Sequence, residues 1–393
     1  MPILKLNQSR ILDRAKALYS HPRGGPALVL ALILAVYVLF LLAYAERFGG
    51  DVTGFACIGD LYQAPGFHPE GAFVLPNSDG YDGQFFLTIG NDPFMTRGGA
   101  EFIDAPGYRY QRILYPWLAG LTALGKPGWI PWTLVLVNLA AVLAGSLFTI
   151  LIGRLYGLGP WTGFLYGFLN GLLLGVLRNL AEPTAMALMT AGVYYYLEEK
   201  PGRTALFLTA GLLAKEVVAL TAGALIVHAL LLKRDRRMVL ALGAAFIPTA
   251  LWGLAIYWRL GEVAYLAGGR NLGPPLSALA VYIGRLLSGA VARPETVYGL
   301  TFVGLTLVSL GLSLREIVRT RDALSLPFLV WALFPLFLTS KVWVEPWSYA
   351  RVILPLSIFL VLNFLKNRDR LYLLPISGHL ALFGFVLWWQ RVL

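Results

Sequence analysis

Long apolar runs follow one another along almost the whole chain, and short polar or charged segments separate them. The runs are roughly 17 to 25 residues long, the length at which an α-helix crosses the hydrocarbon core of a bilayer. Because lipid offers backbone groups no hydrogen bonds, such runs must form helices that satisfy their own backbone and pack on one another. The pattern therefore predicts an all-α polytopic membrane protein in which residues 1–393 form one transmembrane domain.

Eleven apolar segments are predicted to cross the membrane. They are 27–45, 130–153, 158–177, 180–197, 203–214, 216–232, 238–258, 297–314, 324–340, 351–365 and 371–390. A further apolar segment, Ile113–Leu124, is too short to cross and predicts a helix that lies at the membrane surface or dips into it.

The distribution of charge supports this order of spans. Only 13% of the 393 residues are charged, against about 25% in soluble proteins, and the net charge is +11. Loops on one side carry 18 Lys and Arg with 7 Asp and Glu, whereas the other side carries 14 of each. Because cytoplasmic loops hold the excess of Lys and Arg, the basic N-terminus is predicted to be cytoplasmic. Topology accounts for the basic residues, so nucleic-acid binding is not predicted.

The basic N-terminal residues in question are Lys5, Arg10, Arg14, Lys16 and Arg23. The same topology places two long loops on the outer face, residues 46–112 and 259–296. We expect a multi-pass membrane protein whose site faces outward.

Cysteine and histidine offer no metal site. Cys57 is the only cysteine, which excludes a disulfide within the chain, and the four histidines are scattered without ligand spacing. We therefore expect no metal and no cofactor, with an oxygen-ligated divalent cation as the alternative.

The first outer loop carries the most distinctive residues. Glycines on both sides of Tyr81-Asp82 allow a tight turn that presents the carboxylate of Asp82, and a short helix is expected after it. Turn formation or helix capping is the alternative role for Asp79 and Asp82, and Asp92 before Pro93 is predicted to cap a helix N-terminus.

Arg109 and Arg112 would share one face of a helix because they are three residues apart. Further ionisable residues fall at predicted helix ends on the same outer face: Arg178, Glu182, Lys215, Glu216, Lys341, Glu345 and Arg351.

Charged groups at membrane depth usually face a cavity or each other. The alternative is plain ion pairing, of Arg178 with Glu182 four residues on, and of Lys215 and Glu216 with other helices. The aromatic residues at 343–349 are predicted to belong to an interfacial belt.

Together these residues favour group transfer from a lipid phosphate. A carboxylate can remove a proton from a hydroxyl, and Arg and Lys can hold a phosphate. Basic pockets between spans suit lipid head groups. The expected partners are a lipid-linked donor, a hydroxyl acceptor and membrane lipids.

The layout resembles the GT-C class of membrane glycosyltransferases, which use polyprenyl-phosphate sugars as donors. One N-terminal span, a long outer loop with an early Asp, and many later spans carry the resemblance. It is closer to bacterial GT-C-like proteins of cell-surface glycopolymer formation in the segments Tyr81–Phe86, Asp92-Pro93, Tyr108–Pro116, Ala214–Glu216 and Trp347–Pro355.

The resemblance implies an inverting glycosyltransferase at the outer face of a bacterial inner membrane. Its first-loop base corresponds to Asp82, with Asp79 second. Many members have two adjacent acidic residues there, whereas these two are three apart. The residues expected to hold the donor phosphate are Arg109, Arg112, Lys215, Arg351, Lys341 and Arg178. Those expected to orient the substrate are Glu182, Glu216, Gln84, Tyr349 and Glu345.

Two alternatives stay open. A transporter or flippase of lipid-linked sugars would place charges at the bilayer midplane, on broken helices of repeated halves. A non-catalytic partner in a glycopolymer assembly complex would tolerate replacement of the loop carboxylates.

Overall fold

The computed structural model describes residues 21, 23–264, 271–343 and 345–392. The basic residues Lys5, Arg10, Arg14 and Lys16 lie outside the described residues, as does the segment 265–270 of the second outer loop. Within the described part, the two-residue strands β1 (Ile58–Gly59) and β2 (Val74–Leu75) pair in parallel. The other elements of the described residues are helices. The prediction of an all-α fold is confirmed.

The described α-helices of the first half come in the following chain order. They are α1 (Gly24–Ala45), α2 (Asp82–Asn91), α3 (Pro106–Tyr110), α4 (Leu114–Thr122), α5 (Ile130–Leu155), α6 (Thr162–Gly167), α7 (Asn170–Leu177), α8 (Glu182–Leu197), α9 (Pro201–Ala214) and α10 (Val218–Val227).

Those of the second half are α11 (Arg236–Ala244), α12 (Ile247–Leu260), α13 (Ser277–Leu287), α14 (Arg293–Arg319), α15 (Ser325–Leu333), α16 (Ser340–Trp343), α17 (Pro346–Val352), α18 (Leu354–Asn367) and α19 (Leu373–Val392). A π-helix, His228–Lys233, extends α10. Short 3₁₀ turns lie at Glu46–Phe48, Val52–Ala56, Asp60–Tyr62, Gly99–Phe102, Pro127–Trp129, Phe334–Phe337 and Arg370–Tyr372.

Fewer helices than predicted are long enough to cross a membrane. Among the described residues five pass by length and composition, and the bent pair α17–α18 makes a sixth. These six coincide with predicted spans, whereas the segments predicted at 158–177, 180–197, 203–214, 216–232 and 324–340 are shorter or interrupted helices. The structure supports a membrane protein with five or six such helices, and not the eleven predicted.

Helix breaks explain much of this difference, and hydropathy does not register them. Between α9 and α10, Lys215 has an extended backbone with φ −162°. Between α17 and α18 the axis bends by 46°, one residue before the Leu354-Pro355 start of α18. Proline lacks a backbone donor and crowds the preceding turn, which accounts for a break there. Both breaks lie next to charged residues.

Ion pairs respect the predicted sides of the membrane. None of the pairs found among the described residues joins a residue predicted inside to one predicted outside. One inner group is centred on the buried Glu316, whose carboxylate accepts from Lys366 at 2.6 Å. This contact ties α14 to α18, and Lys366 also contacts Asp322, in the turn after α14, at 2.5 Å.

The first outer loop packs around an apolar core that it shares with neighbouring helices. Phe85, Phe86 and Ile89 of α2 are buried with residues such as Tyr110 and Ile256. Asp92 follows α2 instead of preceding a helix, and its carboxylate accepts from the backbone N–H groups of Thr96, Arg97 and Gly99. The predicted helix N-cap at Asp92 is therefore wrong, because the Asp closes the following turn.

Glycines let the loop backbone approach closely where Asp82 begins α2. Gly80 has φ +69°, a left-handed conformation that side chains rarely adopt, and its neighbours include the backbone N of Gly59. A Cβ on Gly83 would collide with the carbonyl oxygens of Arg178 and Ala56. The first turn of α2 thus rests directly on two other backbone segments, which fixes the direction of Asp82.

We expect Gly83→Ala to destabilise the protein by about 1–3 kcal/mol, because the added methyl has no space and backbone would have to shift. Thermal unfolding of the purified protein in detergent measures this loss. Gly202→Ala in α9 is the matched control, since a Cβ there meets nothing within 4 Å. Equal melting temperatures for the two variants would contradict the close approach.

Candidate functional site

Asp82 lies at the centre of the outer charge cluster. It is the first residue of α2, and its carboxylate oxygens contact two guanidinium groups. Arg109 of α3 approaches Oδ1 at 2.8 Å, and Arg351 of α17 approaches Oδ2 at 2.7 Å. The Asp82 side chain is 14% exposed. Residues 109 and 351, which lie far apart in sequence, thus meet at one carboxylate.

Glu182 forms a second centre deeper in the protein. Its Oε1 contacts Lys215 Nζ at 2.6 Å and Arg351 Nη1 at 3.0 Å. The side chains of Glu182 and Lys215 are 2% and 4% exposed, so the pair is almost fully removed from solvent. Arg351 therefore bridges the carboxylates of Asp82 and Glu182.

Arg112 belongs to a neighbouring pair. Its guanidinium donates to both oxygens of Glu216, at 2.8 and 2.6 Å, and to the hydroxyl of Tyr108. Asn271 also donates to that hydroxyl, at 3.2 Å, which connects the second outer loop to the first. Two parallel bonds to a carboxylate fix the plane of the guanidinium as well as its position.

A cavity of about 440 Å³ opens beside these residues. Five basic side chains line it, against two carboxylates, those of Asp82 and Glu216. The basic residues are Arg109, Arg112, Lys215, Lys341 and Arg351. The remaining wall is largely apolar, with residues from α10, the turn after α15, α16 and α17. They include Val217, Leu220, Phe334, Leu338, Val342 and Val352. The cavity lining thus combines cationic and apolar side chains.

Two of the lining cations keep hydrogen-bonding capacity. Among the described residues, Lys341 contacts no carboxylate within 4 Å and is exposed. The Nε of Arg351 is buried and has no hydrogen-bond partner among the described residues. An anion entering the cavity would give the exposed Lys341 a partner.

The two arginines determine the protonation of Asp82. Burial by itself would raise the pKa of its carboxyl, but the guanidinium groups of Arg109 and Arg351 outweigh burial and hold that pKa well below its usual range. Asp82 is therefore ionised at neutral pH, and any event that draws an arginine away raises its pKa.

The predicted site residues divide into three groups. Asp82, Arg109, Arg112, Lys215, Glu216, Lys341 and Arg351 line the cavity, and Glu182 contacts two of them. Asp79, Glu345 and Gln84 do not line it: Asp79 and Glu345 are exposed, and Gln84 is buried. Gln84 accepts from Gly59 N–H and donates to the Asp79 carbonyl, so it holds the loop together.

Arg178 and Tyr349 do not line the cavity either. Arg178 donates to the Sγ of Cys57 at 3.2 Å, and its guanidinium lies over the rings of Tyr81 and Trp347. The alternative that Arg178 pairs with Glu182 is wrong. Glu182 pairs instead with Lys215 and Arg351.

Tyr349 is fully buried and accepts from the Tyr282 hydroxyl at 2.9 Å. Trp343 is 1% exposed and packs on Tyr349, with ring centroids 5.2 Å apart. The predicted interfacial belt is wrong for these two rings, because they pack inward.

Sequence reasoning missed Asp104 and underrated Tyr108. Asp104 accepts two bonds from Arg109, each 2.9 Å long, and so holds the guanidinium that contacts Asp82. The five-residue separation of Asp104 and Arg109 matches no helical spacing, so the sequence gave no signal for it. Tyr108 was part of the distinctive segment, but only the fold brings its hydroxyl to Arg112.

The described residues contain no group of three or more His, Cys, Asp or Glu side chains arranged to hold a metal ion. The chain matches no family model, no curated protein and no solved structure.

We expect Glu182→Gln to lower the free energy of unfolding by about 3 kcal/mol, because it leaves the buried Lys215 without its counter-charge. A double-mutant cycle with Lys215→Met, followed by thermal or denaturant unfolding, measures the coupling. The double variant should recover about 1–3 kcal/mol relative to the sum of the single changes. Strict additivity would contradict a direct buried pair.

Proposed function

We propose that this protein is a GT-C-class glycosyltransferase that moves a sugar from a polyprenyl-phosphate donor to a hydroxyl acceptor, with inversion at the anomeric carbon. The reaction would take place at the outer face of a bacterial inner membrane, in the synthesis of a cell-envelope glycan or glycolipid. The observation that carries the proposal is Asp82, held by two arginines in a cavity lined by both cationic and apolar side chains.

The excess of positive charge supports a phosphate ligand. Five basic side chains against two carboxylates leave the cavity lining with surplus cations, although most are already paired. Arginine presents parallel donors that match phosphate oxygens, and Lys341 adds a charge that pairs with no carboxylate among the described residues. Positioned cations of this kind stabilise the negative charge that develops on a leaving phosphate.

The apolar wall supports a lipid carrier. Leu220, Phe334 and Leu338 contribute apolar side chains to the same cavity. A polyprenyl chain would bury its hydrocarbon against such a wall, at roughly 25 cal/mol per Å² of apolar surface removed from water. One cavity would thereby accommodate both ends of an amphipathic donor.

The ion pairs suggest how the base becomes active. In the resting site Asp82 is a weak base, because Arg109 and Arg351 lower its pKa. Donor phosphate oxygens would compete for both guanidinium groups and loosen their hold on Asp82. Arg109 would retain Asp104 and Arg351 would retain Glu182, so neither arginine loses its place.

The transfer step then balances as follows. The acceptor oxygen forms a bond to the anomeric carbon while its proton passes to Asp82. The bond from the anomeric carbon to the phosphate oxygen breaks, and polyprenyl phosphate leaves with the electron pair. A single displacement of this kind inverts the anomeric configuration.

A transporter or flippase of lipid-linked sugars, or a non-catalytic partner in glycopolymer assembly, are the competing functions. Either would bind the same amphipathic ligand, and neither requires a base. The experiments on Asp82 therefore discriminate the enzyme from both alternatives.

We expect Asp82→Asn to lower sugar transfer by about a hundredfold or more, because an amide cannot accept the acceptor proton. The assay measures polyprenyl phosphate release from a panel of polyprenyl-phosphate sugars, with and without EDTA to test for a divalent cation. Asp79→Asn is the matched control, since Asp79 is exposed and outside the cavity. Full activity of Asp82→Asn would exclude the base assignment, and loss in Asp79→Asn alone would move the role to Asp79.

We expect Lys341→Gln to raise the KM for the donor about tenfold, with a smaller effect on kcat. The reason is that the variant loses one hydrogen bond to a charged group, worth about 1.5 kcal/mol, and this free energy corresponds to about a tenfold change in affinity. Lys341 is exposed and makes no described ion pair, so the fold should be unaffected. Lys341→Arg keeps the charge and should restore most of the affinity. An unchanged KM in the Gln variant would remove Lys341 from the phosphate site.

A further inference from the structure

A second cavity lies next to the charged one. It measures about 410 Å³, within the range of about 300–1,000 Å³ typical of small-ligand sites. Its lining is apolar and includes Phe94, Leu114, Trp117, Leu213, Leu251 and Trp252. The indole N–H of Trp252 donates to the Tyr110 carbonyl at 2.8 Å, so the conspicuous polar atom of the lining is already satisfied. We call this cavity the apolar groove.

The apolar groove shares two wall segments with the charged cavity. Arg112 lines the charged cavity, and Ile113 and Leu114, the next residues along the chain, line the groove. Likewise Leu213 lines the groove, and Lys215, two residues later, lines the charged cavity. A ligand in the groove would therefore lie within a few residues of the cationic site.

The groove also borders an exposed face of a candidate membrane span. Its residues Leu251 and Trp252 belong to the candidate span Arg236–Leu260, whose buried share of 22% is the lowest of the five described candidate spans. Leu251 is 61% exposed and Phe94 is 53% exposed. A groove without free polar groups, open to hydrocarbon, suits a hydrocarbon chain and not a sugar.

We infer that the apolar groove holds a hydrocarbon chain of the acceptor, so that the acceptor is a hydroxyl-bearing lipid. This inference rests on the proposed function. The charged cavity has an apolar wall of its own, which provides for the donor chain beside the donor phosphate. The groove is a separate apolar site, and a second lipid substrate is the ligand that its position beside Arg112 and Lys215 fits.

Leu213→Trp tests this inference, because an indole at that position fills the groove. The matched control is Leu206→Trp, two turns earlier on the same helix and 64% exposed. The probe is a diacylglycerol with a diazirine at the end of one acyl chain, photolysed with the purified protein in lipid nanodiscs. Mass spectrometry then locates the labelled peptides.

Labelling is expected at residues 113–117 and 248–252, and Leu213→Trp should reduce it by about fivefold or more, whereas Leu206→Trp should leave it unchanged. Equal labelling of both variants would overturn the inference. So would labelling of the same residues by a polyprenyl-phosphate sugar with a diazirine in its chain, because the groove would then hold the donor.

A second measurement separates this inference from the proposed function. With an active donor, Leu213→Trp should lose sugar transfer to diacylglycerol while still releasing polyprenyl phosphate by hydrolysis within about twofold of the wild type. Parallel loss of both reactions would overturn the assignment to the acceptor. If the wild type releases no polyprenyl phosphate from any donor, the proposed function fails, and photolabelling still reports whether the groove binds an acyl chain.

Discussion

Arg351 makes the two contacts that hold the cluster of charged residues around Asp82 together. It contacts Asp82 from the first outer loop and Glu182 from the start of α8, so one guanidinium joins the loop to the helices. Removing charges from water is costly, and the cost is repaid only where each charge meets its opposite. The outer cluster meets this condition as a chain of alternating charges: Asp104, Arg109, Asp82, Arg351, Glu182 and Lys215.

Helix breaks and glycines bring these charged residues together. Lys215 and Glu216 lie in the gap between α9 and α10, and Arg351 lies just before the break that separates α17 from α18. An unbroken helix at either point would carry these charges past the cavity. Gly83 lets α2 rest on the backbone beside Arg178, which brings Asp82 into reach of both arginines.

The sequence predicted the fold class, the first and last candidate spans, and the convergence of charged residues from distant parts of the chain. It could not predict five interrupted helices, because hydropathy averages over a window and is blind to a single extended residue such as Lys215. It placed Lys215 and Arg351 correctly at helix ends, but their partners depend on three-dimensional packing. Arg178 illustrates the limit: four residues separate it from Glu182, yet its contacts are Cys57 and two aromatic rings.

The alternating chain also constrains how this protein can diverge. Loss of one charge strands its neighbours on both sides, so a substitution at Glu182 or Arg351 is deleterious alone and acceptable only when its partner changes as well. Such positions evolve by paired replacement, and drift at one is held back until the other permits it. Asp104 is exposed at one end of this series of charges, where its ion-pair partner is Arg109. It is therefore the position at which a substitution is tolerated first.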